Sequence, residues 1–286
     1  MSAGRYRAVL VGASGGIGSA IARELAPRCQ HLLLAGRDRR RLDEMARQLQ
    51  GQGDTEVTTV AADIATFSGR GSLADAARIE GADLLINCAG TSEFTWFAEQ
   101  SEEAIERIVA TNLVAPMLVV RALLPVLAVE PEAAIVNVGS IFGYIGYPGC
   151  ATYSATKFGL RGFTEALRRE LSGSAIRVMH LAPRSTRTSL NSDAMYALNA
   201  GLGVQIDDPE VVAAALVDML EKPRRERLLG FPEAFFARVN QVLPWLVDRA
   251  MSRQLPHIQR QVGGRAVPGT PAKVIRIEGC DQCGAK

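Results

Sequence analysis

The stretch "RAVLVGASGGIG", residues 7–18, places an apolar run directly before four closely spaced glycines. The run predicts a buried β-strand that ends at Gly12, and a helix is expected to begin near Gly16 and Gly18. Glycine at the end of a strand permits a tight turn, and glycine at the start of a helix lets a phosphate group approach the backbone amides. Taken alone, such a cluster is as consistent with a simple turn as with a phosphate-binding site. The elements around it therefore decide how the stretch is interpreted.

The rest of the chain alternates between apolar runs and amphipathic stretches. Strands are predicted at 7–12, 31–36, 56–63, 82–90, 132–140 and 175–183, with a short one within 225–231. Helices are predicted at 16–28, 38–50, 101–127, 151–172 and 209–221, and the third is expected to bend or break around Pro116. Continuous apolar strands separated by helices indicate a parallel sheet covered on both faces, with right-handed crossovers. We therefore expect a single α/β domain over residues 1–230, without internal repeats.

Composition and charge exclude several classes of protein. The chain has 286 residues, 48% of them hydrophobic and 22% charged, which is typical of a globular protein with a sizeable core. A net charge of +2 is too small for a nucleic-acid-binding surface, so we expect no nucleic-acid partner. The sequence has no recognisable signal peptide and no uncharged stretch of bilayer length, and we expect a cytoplasmic location.

Cysteine and histidine are too scattered to predict a disulfide framework or a metal site. They are Cys29, Cys88, Cys150, Cys280, Cys283, His31, His180 and His257. Cys280 and Cys283 form one CxxC pair, but a structural zinc site generally needs a second pair or nearby histidines. We therefore expect no metal, and we interpret residues 263–286 as a free, disordered tail.

The segment "YSATK", residues 153–157, places a phenol and an ammonium four positions apart in the predicted helix 151–172. Side chains at i and i+4 lie on the same helix face, so the ends of Tyr153 and Lys157 can converge on one ligand. A free phenol titrates at about pH 10, and a neighbouring ammonium lowers that pKa because it favours the phenolate. The pair could therefore supply an acid or base suited to neutral pH, although two polar residues on a solvated helix face would have the same spacing.

Taken together, these features resemble the short-chain dehydrogenase/reductase family. The glycine loop has the spacing GxxxGxG, and the further matching pieces in chain order are Asp63, "NCAG" at 87–90, Asn112, Ser140, Tyr153 and Lys157. The resemblance extends over about residues 5 to 230. It implies a Rossmann-type doubly wound parallel sheet with strand order 3-2-1-4-5-6-7, and interconversion of a ketone and a secondary alcohol with NADP(H) or NAD(H). It also implies a homo-oligomer, either a dimer or a tetramer.

The resemblance further implies roles for individual residues. Tyr153 would be the general acid and base, Lys157 would tune it and bind the nicotinamide ribose, and Ser140 would hold the substrate carbonyl oxygen. Asn112 would hold a water that links Lys157 to solvent. Asp63 would accept a hydrogen bond from the adenine amino group, although it could equally cap a helix. The residues expected to contact the cofactor are Gly12, Ser14, Gly16, Ile17, Gly18, Arg37, Asp63, Ile64, Asn87, Ala89, Gly90, Tyr153, Lys157 and Thr188.

A fold does not fix a function, and some members of this family only bind the cofactor and regulate. A non-catalytic regulator is therefore the alternative from a different class. The presence of all four catalytic candidates favours an enzyme.

The end of the second predicted strand, "LAGRD" at 34–38, predicts which dinucleotide binds. NAD-preferring enzymes place an acidic side chain there, whereas Arg37 could bind the 2′-phosphate of NADP through charge-assisted hydrogen bonds. Asp38 could turn back to the ribose, but it comes one position late. We expect a preference for NADP(H), with an NAD-dependent alcohol dehydrogenase as the alternative.

The segment "PRSTRT", residues 183–188, departs from the family pattern. Arg184 stands where the family usually has glycine, so the resemblance does not predict the local geometry or the shape of the substrate entrance. Thr188 is in the expected register and would contact the nicotinamide carboxamide. Residues 189–208 are expected to form a substrate loop and lid.

A second departure is the C-terminal extension, residues 231–262. Its apolar residues recur at helical spacing, and they are Phe235, Phe236, Val239, Val242, Leu243, Trp245, Leu246 and Val247. Pro244 is expected to divide the extension into two helices. Besides simple packing on the core, the pattern leaves open a lid, a dimer contact and an interfacial membrane helix over 232–255. The extension is more apolar than a small polar substrate needs, so we expect a hydrophobic or acyl-type substrate.

Overall fold

The protein is built on a parallel sheet, described here from a computed structural model that covers residues 6–51 and 54–262. The strands are β1 Tyr6–Val11, β2 Cys29–Gly36, β3 Glu56–Ala61, β4 Leu84–Asn87, β5 Ala133–Val138, β6 Ile176–Ala182 and β7 Glu226–Leu228. Their order in the sheet is β3-β2-β1-β4-β5-β6-β7, and neighbouring strands pair in parallel. This is a Rossmann-type doubly wound sheet, so the predicted fold class and strand order are confirmed.

Helices cover both faces of the sheet, because parallel strands need a crossover connection. They are α1 Gly16–Leu25, α2 Arg39–Gln50, α3 Phe67–Ile79, α4 Glu102–Val109, α5 Ala115–Leu127, α6 Ala151–Glu170, α7 Asp193–Gly201, α8 Pro209–Glu221, α9 Glu233–Val242 and α10 Pro244–Val262. Successive side chains of a strand point to opposite faces, which divides the core in two. Leu10 is buried in one cluster with Ile21 of α1 and Leu216 of α8. Val9, its neighbour, is buried in the other cluster with Val119 of α5.

The helix predicted at 101–127 is interrupted, although just before Pro116 rather than at it. Residues Ala110–Val114 form a π-helical turn between α4 and α5. Proline has no N–H, so Pro116 cannot donate the α-helical hydrogen bond to the carbonyl of Asn112. Turns of this kind often occur at functional sites, and this one carries Asn112.

By length and hydropathy, Glu102–Leu127 is the stretch among the described residues that could cross a bilayer. Within it, however, Val119, Val120 and Leu123 are no more than 1% exposed and belong to the core against the sheet. We interpret the stretch as a core helix of the α/β fold.

The C-terminal extension forms two helices that divide at Pro244, as predicted. Its inner face is packed, since Ala237 and Val247 are buried in a cluster with Ile141 and Tyr144. Its outer face is not covered by the residues that the structure describes: Phe235 is 56% exposed, Trp245 59% and Leu246 40%. Simple packing on the core therefore accounts for only part of the apolar stripe. The CxxC pair and the predicted tail lie outside the described residues.

Candidate active site

A cavity of about 750 Å³ opens at the carboxyl ends of the central strands. Ligands of open α/β sheets bind at this edge, where the strand order reverses between β1 and β4. The cavity begins at the glycine loop around Gly16, passes Ser140 and Tyr153, and ends against Phe236 and Met251 of the extension. One continuous space therefore joins the predicted phosphate-binding loop to the C-terminal helices.

The glycine loop fits closely against its neighbours, and side chains would not be accommodated. Gly12 has φ +84°, and a Cβ built there would lie 2.6 Å from the backbone nitrogen of Ala89. At Gly18, a Cβ would lie 2.1 Å from the Gly12 carbonyl oxygen, and at Gly16 it would lie 2.6 Å from the Thr188 methyl. The missing side chains leave a narrow cradle at the N-terminus of α1, which is the shape a dinucleotide pyrophosphate needs. The loop thus fits the expected cofactor.

The adenosine side of the site is formed by residues after β2 and β3. Arg37 is exposed immediately after β2. Asp38 caps α2, since its carboxylate accepts a hydrogen bond from the Arg41 amide at 3.1 Å and pairs with the Arg41 guanidinium at 3.4 Å. Asp63 is exposed after β3 and accepts from the Ala65 amide at 2.9 Å. Asp38 therefore serves as a helix cap, although it is also exposed, and Arg37 is the first exposed side chain after β2.

Three other predicted cofactor residues lie close to the glycine loop or in the core beneath it. A Cβ at Gly36 would lie 3.1 Å from the Ser14 hydroxyl oxygen, so Ser14 packs against the end of β2. Ile64 is 7% exposed and belongs to the core next to Asp63. Ile17 lines the cavity and packs partly against the core on the α1 side.

Asn87, at the end of β4, points into the protein. Its side-chain amide donates to the Asn137 Oδ1 at 2.9 Å, and the Asn137 amide donates to the Thr164 hydroxyl at 2.9 Å. The three side chains are buried and tie β4 and β5 to α6. The Asn87 side chain is thus a link within the sheet, and Ala89 and Gly90 form the loop above it.

Asn112 fastens that loop. Its Nδ2 donates to the Thr91 carbonyl at 2.8 Å and to the Thr156 hydroxyl at 3.2 Å, and its Oδ1 accepts from the Thr91 amide at 2.8 Å. A Cβ at Gly90 would lie 3.6 Å from the Asn112 Oδ1 and 3.8 Å from the Lys157 Nζ. The π-helical turn therefore brings Asn112 to the same side of Gly90 as Lys157.

Tyr153, Lys157 and Ser140 converge inside the cavity. The Lys157 Nζ lies 5.6 Å from the centre of the Tyr153 ring and donates to the Val138 carbonyl at 3.2 Å. The Ser140 hydroxyl is hydrogen-bonded to Tyr153 and accepts from the Phe142 amide at 3.1 Å. All four predicted catalytic side chains are thus brought to the same end of the sheet.

Burial changes the proton affinities of the pair. Burial lowers the pKa of Lys157 to about 8, because the ammonium loses its solvation. Burial also raises the pKa of Tyr153, and the hydrogen bond with Ser140 opposes this only in part. The expectation that Lys157 lowers the pKa of Tyr153 is wrong in this structure, because desolvation of the phenol outweighs the other effects. Tyr153 is therefore a protonated phenol at neutral pH, a state suited to donating a proton.

Comparison with known proteins identifies the family. A family model for short chain dehydrogenases matches residues 7–197. The 3-oxoacyl-[acyl-carrier-protein] reductase of Bos taurus is 33% identical over 217 residues, which is 74% of this chain and 90% of that protein. The chain belongs to the short-chain dehydrogenase family. It is therefore an NAD(P)-dependent oxidoreductase.

Two further similarities support the assignment. The uncharacterized oxidoreductase YxnA of Bacillus subtilis is 30% identical over 88% of this chain and 72% of its own length. The structure of a short-chain dehydrogenase from Sphingobium yanoikuyae in complex with NADPH is 26% identical, with a TM-score of 0.68 over 90% of this chain and 98% of that one. Both similarities extend beyond the glycine loop to most of the fold.

Thr188 is held by a residue that the sequence did not single out. The Tyr196 hydroxyl of α7 accepts from the Thr188 amide at 2.9 Å and donates to the Thr188 carbonyl at 2.8 Å. The segment 189–208, predicted as a lid, contains this helix, which begins after the Ser192 cap. No local pattern in residues 189–208 predicts the Thr188–Tyr196 contact.

The lowered pKa of Lys157 predicts a pH dependence for this short-chain dehydrogenase. Ketone reduction should decline as the pH rises through about 8, because Lys157 then loses its charge. Tyr153 does not add to this decline, since its raised pKa keeps it protonated in the same range. The rate should be measured from pH 6 to 9.5 at saturating NADPH. In Lys157→Arg the decline should disappear, because a guanidinium stays charged; a wild-type rate that is flat across pH 8 contradicts the prediction.

Proposed function

We propose that the protein is an NADP(H)-dependent reductase that interconverts a ketone and a secondary alcohol. The convergence of Ser140, Tyr153 and Lys157 in a cavity that begins at the glycine loop supports this most directly. NADPH, when bound, supplies the hydride. The chain supplies the proton, the hydrogen bonds that hold the carbonyl oxygen, and the walls that exclude water.

Each catalytic side chain has a separate role in this proposal. Tyr153 donates its phenolic proton to the oxygen that becomes the alcohol. Ser140, which already shares a hydrogen bond with Tyr153, holds that oxygen as negative charge develops. Lys157 binds the nicotinamide ribose and keeps a positive charge beside the phenol. Asn112 secures the loop at Thr91 and, as proposed from the sequence, helps to hold a water near Lys157.

At neutral pH the phenol of Tyr153 is in the protonated form that ketone reduction needs. Its raised pKa keeps it protonated, although the same shift makes it a weaker acid. The alternative, a regulator that binds the cofactor without turnover, does not need Ser140 and Tyr153 to share a hydrogen bond inside the cavity.

The test of the proposed reaction is Tyr153→Phe, which removes the proton donor and little else. Turnover with NADPH and a ketone should fall by roughly 10² to 10⁴, while the Kd for NADPH, measured by fluorescence, changes little. Tyr147→Phe is the matched control, because Tyr147 lines the same cavity and stacks on Phe142 at 4.6 Å. If Tyr153→Phe keeps more than a tenth of the rate, Tyr153 is not the donor; if the wild type binds NADPH but turns over no carbonyl, the regulator is supported.

The preference for NADP(H) rests on Arg37. With Asp38 capping α2, the exposed guanidinium of Arg37 is the first charged group after β2. A guanidinium suits the 2′-phosphate of NADP through charge-assisted hydrogen bonds. Sphingobium yanoikuyae's short-chain dehydrogenase, a similar structure, was solved with NADPH.

Arg37→Ala should lower kcat/KM for NADPH by about 10- to 100-fold, the scale of hydrogen bonds to a charged group. The value for NADH should stay nearly constant, because NADH has no 2′-phosphate. Arg47→Ala, an exposed substitution in the last turn of α2, is the control. Equal use of NADPH and NADH by the wild type contradicts the preference.

We propose a hydrophobic or acyl-type carbonyl substrate, as in lipid metabolism. Beyond the catalytic residues, the cavity wall includes the apolar side chains of Phe142, Ile145, Leu202, Phe236 and Met251, together with polar ones such as Asn191 and Gln254. The reductase of Bos taurus named above acts, by its name, on a 3-oxoacyl group carried by a protein. An apolar wall of this extent favours long ketones over small polar ones.

The outer face of the extension supports a peripheral membrane contact for a cytoplasmic enzyme. Residues 241–246 are all exposed and include Val242, Leu243, Trp245 and Leu246 at the turn between α9 and α10. Exposed arginines flank this apolar tip, namely Arg238, Arg249 and Arg253. Apolar side chains with basic neighbours suit the interface of an anionic bilayer. The cavity reaches the same helices, so an apolar substrate could enter from the lipid.

We further propose that the enzyme is a homo-oligomer. Val114, Met117 and Phe158 are 43%, 39% and 40% exposed on the neighbouring elements around α5 and α6. A second copy would remove these side chains from water. In this view residues 1–230 form the catalytic domain, and 231–262 are an extension of it.

The extension predicts a steep dependence on chain length. Burial of each CH₂ contributes about 0.8 kcal/mol, so KM should fall about four-fold for each carbon added to a straight-chain ketone until the cavity is filled. Phe236→Ser should flatten this profile, because Phe236 lines the cavity. Phe235→Ser, at the neighbouring exposed position outside the cavity, should leave it unchanged.

Vesicle binding separates a membrane contact from a dimer contact at the same tip. The wild type should sediment with anionic vesicles, and Leu246→Glu should abolish this, whereas Phe67→Glu should not, although Phe67 is 87% exposed. If KM does not change with chain length and the wild type does not sediment with vesicles, both proposals are contradicted. The extension would then serve only to pack on the core or to contact a second copy.

A further inference from the structure

Arg184, the residue that replaces a glycine of the family pattern, is folded into the wall of the cavity. Its guanidinium grips Asp207 with two hydrogen bonds, from Nε at 3.0 Å and from Nη2 at 2.7 Å. Its Nη1 donates to the Glu233 carboxylate at 3.2 Å and to the Phe231 carbonyl at 3.4 Å. The Arg184 side chain is 7% exposed, Asp207 8% and Glu233 23%.

The three charged residues of this cluster come from different segments of the chain. Arg184 follows β6, Asp207 ends the lid segment 189–208, and Glu233 begins α9. The backbone also joins the lid to the strand end, because the Asp207 amide donates to the Ser185 carbonyl at 2.9 Å. One guanidinium therefore connects the substrate lid and the C-terminal extension to the end of the sheet.

The chain is shaped to let this side chain pass. Gly230 has φ +88°, and a Cβ there would lie 2.3 Å from the Arg184 Cδ and 2.7 Å from its Nε. A side chain at position 230 would thus collide with the arginine. The observed position of the Arg184 side chain therefore requires a glycine at position 230. An arginine that extended into solvent would not impose this requirement.

We propose that Arg184 is a positioning residue that locks the lid to the first turn of α9 and thereby sets the substrate-binding wall. It touches neither the reacting carbonyl nor the nicotinamide in this assignment, so it controls how well substrate binds rather than how fast it reacts. The assignment rests on the proposed reductase function for its kinetic readout, but not for its structural one.

The two ion pairs of Arg184, one with Asp207 and one with Glu233, differ in strength. The Asp207 contact is bidentate and buried, whereas the Glu233 contact is a single hydrogen bond to a more exposed carboxylate. Bidentate pairs hold geometry more firmly than single hydrogen bonds. The lid end is therefore the fixed side of the lock, and α9 is the side that can move.

Glu233→Gln tests the lock with a small change, since it removes one charge and preserves the size of the side chain. KM for a long-chain ketone should rise about ten-fold, the scale of a charge-assisted hydrogen bond, with kcat within two-fold and the Kd for NADPH unchanged. Hydrogen–deuterium exchange of residues 233–262 should increase at the same time. Arg184→Gly should give the same changes, larger in size, and Arg184→Lys should restore part of the wild-type KM.

Glu210→Gln is the matched control, because its exposed pair with Arg23 has the same N–O distance of 3.2 Å. If Glu233→Gln and Arg184→Gly match this control in KM and in exchange, the lock is overturned. A fall in kcat with unchanged KM also overturns it, because Arg184 would then act on the chemical step. If Arg184→Gly does not fold, Glu233→Gln alone decides. If the wild type has no turnover, the proposed reaction fails, and the exchange result still decides the lock.

Discussion

The site depends on the close approach of two backbone segments at the end of the sheet. The glycine loop after β1 lies so near the loop after β4 that a single methyl group at Gly12 would reach within 2.6 Å of the Ala89 nitrogen. Protein interiors do not absorb such an overlap without moving backbone, because they are packed at crystal-like density. The absence of these side chains is what opens the N-terminus of α1 and sets the distance from that helix to the loop that Asn112 holds. The cofactor end of the cavity therefore depends on the distance between these two loops.

Burial of polar groups is the second constraint, and it determines the chemistry. Lys157 is buried, so its ammonium loses solvation and its pKa falls to about 8. The same environment favours the neutral phenol of Tyr153. A buried polar group is stable only when its hydrogen bonds are made, and the side chains of Asn112, Asn137 and Thr164 are fully engaged for that purpose. Desolvation thus accounts for the hydrogen bonds of these buried side chains and for the protonated state of the Tyr153 phenol.

Much of this architecture could be predicted from the sequence, because it depends on periodicity and on glycine spacing. The strands, their order and the positions of Asn112, Ser140, Tyr153 and Lys157 follow from local patterns and one family resemblance. The direction of the Tyr153 pKa could not, since it depends on how much protein surrounds the phenol in three dimensions. Likewise, "LAGRD" did not reveal that Asp38 turns toward α2, because capping depends on where the helix begins. The partners of Arg184 lie 23 and 49 positions away, a separation that no local pattern reports.

The residues that could be predicted from the sequence belong mainly to the part of the chain that the family model covers, and those that could not be predicted lie mainly around its end or beyond it. The family model ends at residue 197, whereas Leu202, Phe236 and Met251 of the cavity wall come later. Hydride transfer needs one geometry for any ketone, so the residues that serve it lie within the part shared with relatives. In the proposed function, recognition of a particular ketone also needs contacts along the rest of the cavity wall, to which the lid and the extension contribute. An arginine in place of a glycine at position 184 joins the two parts, since its backbone belongs to the end of the sheet and its side chain reaches Glu233. In the proposed function, substrate selection therefore depends on the lid and the extension, most of which lie beyond residue 197, where the family model ends.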